Sequence, residues 1–162
     1  MFEMKKLLFV LFFSLVCCQS EIYLEDGIIK CQEDVSVGFV GEIDGVSYKV
    51  VDSLILKTMI KNSEDLRFIC TTKITDMGSM FNSSEFNGDI SKWDVSNITN
   101  MNGMFFNSKF NGDISKWDVS NVLSCEGFSD NNLQWTLPQP KFTNCDTKNR
   151  EPDFHDDLEY YN

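Results

Sequence analysis

Chemically versatile side chains recur in this chain at a fixed distance. Lys92, Asp94 and Ser96 are followed 24 residues later by Lys116, Asp118 and Ser120. Within each set the residues alternate along the chain, so an extended backbone turns all three to one face. An ammonium, a carboxylate and a hydroxyl repeated on one face form a ligand-facing stripe, because repeated surfaces of this kind are where stacked repeats bind. The same charges also make a self-neutralising solvated surface, in which each exposed ion pair contributes only ~0–1 kcal/mol. Asn87-Gly88-Asp89 and its copy Asn111-Gly112-Asp113 offer too few carboxylates for calcium, which takes about six to eight oxygens. They read as turns, where Gly accepts positive φ and Asn and Asp bond their own backbone. No metal or cofactor is expected.

Catalytic signals are absent. The one histidine, His155, lies in the acidic tail, and there is no Gly-x-Ser-x-Gly elbow or phosphate loop. Carboxylate pairs occur as repeat echoes or in the tail, whereas an acid/base pair needs two different environments. The expectation is a protein that is not an enzyme.

The elements that position these residues come from an internal repeat. Residues 75–98 and 99–122 align without a gap, identical at 17 of 24 positions, 12 of them consecutive. A degenerate unit starts at Leu123, places Phe128 where Met80 and Met104 stand, and then leaves the register. Alternation over Trp93-Asp94-Val95-Ser96 predicts a short strand. Thr99 with Met101, Met104 and Phe105 at helical spacing predicts a short capped helix. Stacking such units buries one core: Met77, Met80, Phe86, Ile90, Trp93 and Val95 against Met101, Met104, Phe110, Ile114, Trp117 and Val119. Trp93 and Trp117 at this spacing are core residues before they are sugar platforms.

About three units are the usual minimum for a stable stack, so the flanks must contribute. Strand-like runs surround Asp44-Gly45, a hairpin signal, and Ser53 is expected to cap a helix over residues 54–61. Trp135 with Pro138 and Pro140 closes the far end. The fold expected is therefore α/β: a short solenoid, one strand and one helical turn per 24-residue coil. It has a small α+β cap at its N-terminal end and a disulfide-closed cap at the other. The boundaries are residues 1–20 for a signal peptide, 21–73 for the first cap and 74–122 for the repeats. Residues 123–145 form the closing cap and 146–162 an acidic flexible tail.

Length, charge and cysteines fix the class and the compartment. A 162-residue chain with net charge −11 repels nucleic acid and anionic membrane surfaces. Lys5 and Lys6 precede an apolar run over residues 7–16, the pattern of a signal peptide. Cleavage after Ser20 leaves small residues at the usual positions. Alternatively, Leu15-Val16-Cys17-Cys18 is similar to a bacterial lipobox, with Cys18 lipidated and Cys17 departing from the usual small residue. Both routes export the chain. Cys31, Cys70, Cys125 and Cys145 then remain, an even count that implies disulfides with three possible connectivities. We expect Cys31–Cys70 and Cys125–Cys145, one across each cap.

Thr75-Asp76-Met77, Met80-Phe81 and the run Phe86 through Ile98, with their second copy, resemble the BspA-like leucine-rich-repeat surface proteins of bacteria. Typical units of that family are slightly longer, about 26 residues, and typical arrays have more copies. The resemblance implies surface display or secretion, a short right-handed leucine-rich-repeat-like solenoid, and adhesion to a host surface or matrix, and it brings no catalytic residues. The function expected is an exported, non-catalytic module that binds an extracellular protein or a matrix or host surface. It touches the membrane only through a lipid anchor and takes no nucleic acid. The alternative is a structural envelope component assembling through its ends, and after it a small secreted hydrolase.

Overall fold

The computed structural model describes residues 21–147. Residues 1–20, expected to be a signal peptide and including Cys18, and the expected tail from residue 148 onward lie outside the described residues.

The N-terminal part is two small sheets and one helix. Strands β1 (Ile22–Glu25) and β2 (Ile28–Cys31) form an antiparallel hairpin. Strands β3 (Val40–Ile43) and β4 (Val46–Val50) form a second. Each turn is an Asp-Gly pair with positive φ at both residues, 51° and 84° at Asp26 and Gly27, 51° and 78° at Asp44 and Gly45. Primed two-residue turns need this geometry because their twist matches that of the strands. Helix α1 (Ser53–Lys61) carries the chain back, so that β5 (Ile69–Cys70) pairs parallel to β4. The helix is capped by Asp52, whose carboxylate accepts the Ile55 N–H at 2.8 Å. Ser53, the residue expected to cap it, is its first residue, and its hydroxyl donates to the Asp76 carbonyl.

The α/β solenoid expected from the sequence is not what the structure contains. Every strand lies between residues 22 and 70, and α1 is the one α-helix among the described residues. The repeats are built from tight turns joined by isolated bridges, Asp76 to Asn100 and Asn100 to Ser124. The backbone explains why neither predicted element forms. The helix predicted after Thr99 is interrupted by left-handed residues at Gly103 and Asn107, φ 56° and 52°, and right-handed helices do not run through such positions. Their counterparts are Ser79 and Ser83 in the first copy, and Gly127 and Asn131 beyond the second. In place of the predicted strand, Asp94 Oδ1 accepts the Ser96 N–H and the Ile98 N–H closes back on the Val95 carbonyl, both bends.

The alternation of conformations satisfies the backbone in a different way. The N–H groups of Met77, Ser79, Phe81 and Ser83 donate to the carbonyls of Asn100, Asn102, Met104 and Phe106. Those of Met101, Gly103, Phe105 and Asn107 donate to Ser124, Glu126, Phe128 and Asp130. The N–H groups between them close turns within a copy, either four-residue turns such as Met80 to Met77 and Met104 to Met101, or side-chain turns such as Gly78 to Asp76 Oδ1 and Asn102 to Asn100 Oδ1. Odd residues thus bond between copies and even residues within a copy, so buried backbone is paired without helix or ladder. The degenerate unit keeps this pattern as far as Asn132, whose N–H bonds to Ser129.

Aromatic rings stack along the same direction. Trp93 and Trp117 lie 6.4 Å apart and 6° from parallel, and Phe86 and Phe110 lie 6.3 Å apart at 4°. Trp93 Nε1 donates to the Leu66 carbonyl at 3.0 Å, and Trp117 Nε1 to the Ile90 carbonyl at 3.3 Å. Both bonds span 27 residues, which sets Leu66 in the place of Ile90 and reveals a further copy of the half-unit, Asp65 to Ile74, before the first full repeat. Of the predicted core residues all are buried except Phe86, which is half-buried at the edge. A second, smaller core joins Ile22, Ile29, Val35, Tyr48 and Val50 between the two hairpins.

Ser79 holds a left-handed conformation that Gly occupies in the next two units, so exchanging residues tests the geometry. Ser79→Gly is expected to raise stability by about 0.5–1 kcal/mol, and Gly103→Ala to lower it by about 1–2 kcal/mol. A Cβ on Gly103 meets only ordinary contacts at 3.7 Å, so the cost is conformational. Urea unfolding of the two variants checks both signs.

Candidate polar groove

The Asn-Gly-Asp turns of the two repeats come together as the wall of an open groove of about 630 Å³, with Asn87, Asp89 and Lys92 beside Asn111, Asp113 and Lys116. Gly27 and Ile28 of the first hairpin close one side. Asp89 Oδ1 accepts the Ser91 N–H at 2.9 Å, and Asp113 Oδ1 accepts the Ser115 N–H at 3.0 Å. Asp65 repeats the arrangement with the Arg67 N–H. One aspartate per unit therefore fixes the turn that carries the next basic side chain.

These bonds hold the carboxyls below the ordinary value of 3.8. Hydrogen bonds from Arg67 bring Asp65 to about 2, and bonds from Ser91 and Ser115 lower Asp89 and Asp113. A folded-state value below the unfolded one stabilises above pH 3.8, and that stabilisation is lost as pH falls through the lowered values. The urea midpoint is therefore expected to be level from pH 7 to about pH 5 and to fall below about pH 4. A midpoint that climbs on acidification contradicts the assignment.

The six-residue stripe expected from the sequence does not assemble. Lys92 and Lys116 share the groove. Asp118 and Ser120 line a different depression with Ser115, Gln139 and Lys141. Asp94 is buried, 3% exposed, and serves the fold: its Oδ2 accepts the Thr72 hydroxyl, and its Oδ1 accepts the Ser96 N–H and hydroxyl. Ser96 is half-buried. The reason is β2, where the Ile29 N–H donates to the Lys92 carbonyl and Ile29 bridges Trp93. This hairpin covers the first repeat and leaves Asp118 and Ser120 of the second exposed. The Asp-Gly pair at 26–27 carries the same hairpin signal as 44–45 and was the clue to that cover.

Asparagines tie the units together. Asn97 Nδ2 donates to the Thr72 carbonyl and Asn121 Nδ2 to the Ser96 carbonyl, the same bond one unit apart. Asn111 N–H donates to Asn87 Oδ1 at 2.7 Å. Asn111 Oδ1 in turn accepts the Thr136 and Leu137 N–H groups.

The cysteines divide. Cys125 and Cys145 form a disulfide. Cys31 and Cys70, expected to form another, are buried free thiols on β2 and β5. Thr72 stands between the strands, its hydroxyl 3.3 Å from Cys70 Sγ and accepting the Cys31 N–H at 3.2 Å. Burial pushes the Cys70 thiol up to about 12, which keeps it protonated and slow to react. Native protein at pH 8 is expected to leave Cys31 and Cys70 unlabelled by iodoacetamide and to label both after unfolding without reductant. Rapid native labelling, or none after unfolding, contradicts this state.

Among the described residues no helix is long and apolar enough to cross a membrane, and no group of three or more His, Cys, Asp or Glu is placed to hold a metal ion. Neither any curated protein nor any solved structure matches the chain. A family model matches residues 53–156, from the start of α1 through both repeats and the disulfide-closed end. With more than half of its length matched, the chain belongs to the family described as Mycoplasma protein of unknown function, DUF285.

Proposed function

We propose that this protein is an exported, surface-displayed binding module that acts without catalysis, with the groove between the Asn-Gly-Asp turns as its binding face. The observation that supports this reading is duplication at the groove: Asn, Asp and Lys from equivalent positions of two repeats line one open depression. Repetition of identical polar groups suits an extended partner, met once per unit. The similarity to BspA-like surface proteins favours the same class of role, adhesion to a host surface or matrix component.

The test is adhesion of the purified full chain to cultured host cells and to immobilised matrix. Saturable binding that Lys92→Glu/Lys116→Glu abolishes, with the thermal midpoint unchanged, supports the reading. Binding that ignores the two lysines contradicts it. Export is tested on protein from its native cells: a mature start at Cys18 with acyl chains, or at Glu21, supports it, and a chain retaining residues 1–20 contradicts it.

A structural envelope role is the second reading, favoured by exposed leucines near the disulfide-closed end: Leu123 at 69%, Leu133 at 93% and Leu137 at 46%. It requires self-association that Leu133→Asp/Leu137→Asp abolishes, measured by sedimentation velocity.

A further inference from the structure

The groove continues into an aromatic shelf. A second depression of about 250 Å³ is lined by Tyr48, Arg67, Phe68, Asp89, Lys92 and Trp93, and it shares Asp89 and Lys92 with the first. Phe68 holds in the Asp65 half-unit the place that Lys92 and Lys116 hold in theirs, 24 residues apart. Phe68 is 41% exposed, with Tyr48 tilted against its ring at 6.1 Å and the Arg67 guanidinium over the ring, 5.2 Å from its centre. Arg67 is itself fixed by both oxygens of Asp65. Three successive units therefore present an aromatic ring, an ammonium and a second ammonium along one channel.

The polar groups of each rung are half-used by the fold, and the unused halves define the ligand. The Asp89 and Asp113 Oδ1 atoms are held by Ser91 and Ser115, which leaves each Oδ2 to accept. The Asn87 and Asn111 Oδ1 atoms are held by backbone N–H groups, which leaves each NH2 to donate. Among the described residues the ion pairs within 4 Å are Lys30–Glu25 and Arg67–Asp65, so Lys92 and Lys116 keep their ammonium groups for a ligand. A rung of one acceptor between two donors brackets a hydroxyl, which both gives and takes a hydrogen bond. An anion would meet Asp89 and Asp113 and a net charge of −11, and a cation would meet the two lysines. A peptide held by its side chains wants apolar pockets, and Ile28 is the one large apolar side chain lining the larger depression.

From this balance we propose that the channel binds a neutral, linear glycan, its hydroxyls on the Asn87/Asp89/Lys92 and Asn111/Asp113/Lys116 rungs and one sugar face on Phe68. Aromatic rings with a polar rim suit ligands that are apolar on one face and wet on the other. The inference rests on the groove being the binding face and adds the class of ligand.

The experiment uses the full chain, oxidised at Cys125–Cys145, in affinity electrophoresis and on an array of neutral glycans. Heparin and an acidic peptide are the charged comparators. Binding of at least one neutral chain is expected, weakened about tenfold or more by Lys92→Met/Lys116→Met and by Phe68→Ala, with wild-type thermal midpoints. Lys57→Met, exposed on α1 and lining neither depression, should bind as wild type. Absence of any neutral-glycan binding, preference for heparin or the peptide, or binding that survives both variants overturns the proposal. Host-cell adhesion that needs the lysines without glycan binding would keep the binding module and remove the glycan. Adhesion that ignores the lysines would remove both.

Discussion

Phe105→Ala is expected to destabilise the protein by about 3–5 kcal/mol, a large part of the stability of a domain this size. Phe105 is fully buried and meets more rings than any other aromatic side chain among the described residues. Phe81 stacks on it at 5.2 Å and Phe110 at 4.5 Å, while Phe128 and Trp135 meet it edge-on at 5.4 and 5.0 Å. These neighbours come from the first repeat, its own repeat, the degenerate unit and the closing segment. Removing the ring opens a cavity at the meeting point of all four, and their backbones are bonded in register and cannot collapse into it. Urea unfolding by tryptophan fluorescence measures the loss, because all three tryptophans lie in this core. A loss below about 1 kcal/mol would mean that the units do not share one core.

Replacing Cys125 and Cys145 together by alanine is expected to cost about 3 kcal/mol. The bond joins residues 20 apart in sequence and closes a loop that carries Trp135, Pro138 and Phe142. Each of these finishes the stack: Trp135 Nε1 donates to the Gly112 carbonyl, the Ile114 N–H to the Pro138 carbonyl, and Phe142 packs edge-on against Phe128. Opening the loop releases chain entropy in the unfolded state and frees the segment that covers the last unit. Reduction of the wild type should shift the midpoint by a similar amount and raise the mass by two hydrogens. A mass gain of four hydrogens would instead mean that Cys31 and Cys70 are also bonded.

What the sequence made legible was the period. Twelve consecutive identities set Trp93 over Trp117 and Phe86 over Phe110, and Asp44-Gly45 placed the second hairpin. The same turn chemistry at Asp26-Gly27 went unread, and with it the hairpin that buries Asp94. Alternation at Trp93-Asp94-Val95-Ser96 correctly paired the two buried apolar residues. It misassigned Asp94, because a period of two says which residues share a face and not what covers that face. The helix predicted from Met101, Met104 and Phe105 failed on backbone conformation. Gly103 and Asn107, with Ser79 and Ser83 before them, are residues that tolerate or locally satisfy positive φ, and their 24-residue recurrence carried that information. The half-unit at Asp65 shares with Asp89 and Asp113 the aspartate, the following Leu or Ile and the later Ile or Val. Identity that sparse became visible only when the Trp93 indole was seen bonded to Leu66. The pairing of Cys31 with Cys70 was correct as proximity between β2 and β5 and incorrect as a bond.

Lys92 and Lys116 share one groove because the two repeats bond to each other in register. The most direct test inserts an additional copy of residues 99–122 after Val122 and measures stability by urea unfolding. In-register bonding predicts a folded protein at least as stable as the parent, because the new copy finds the same donors, acceptors and ring faces on both sides. A destabilised or aggregating product would show that the copies do not bond as interchangeable units, and would remove the shared groove with them.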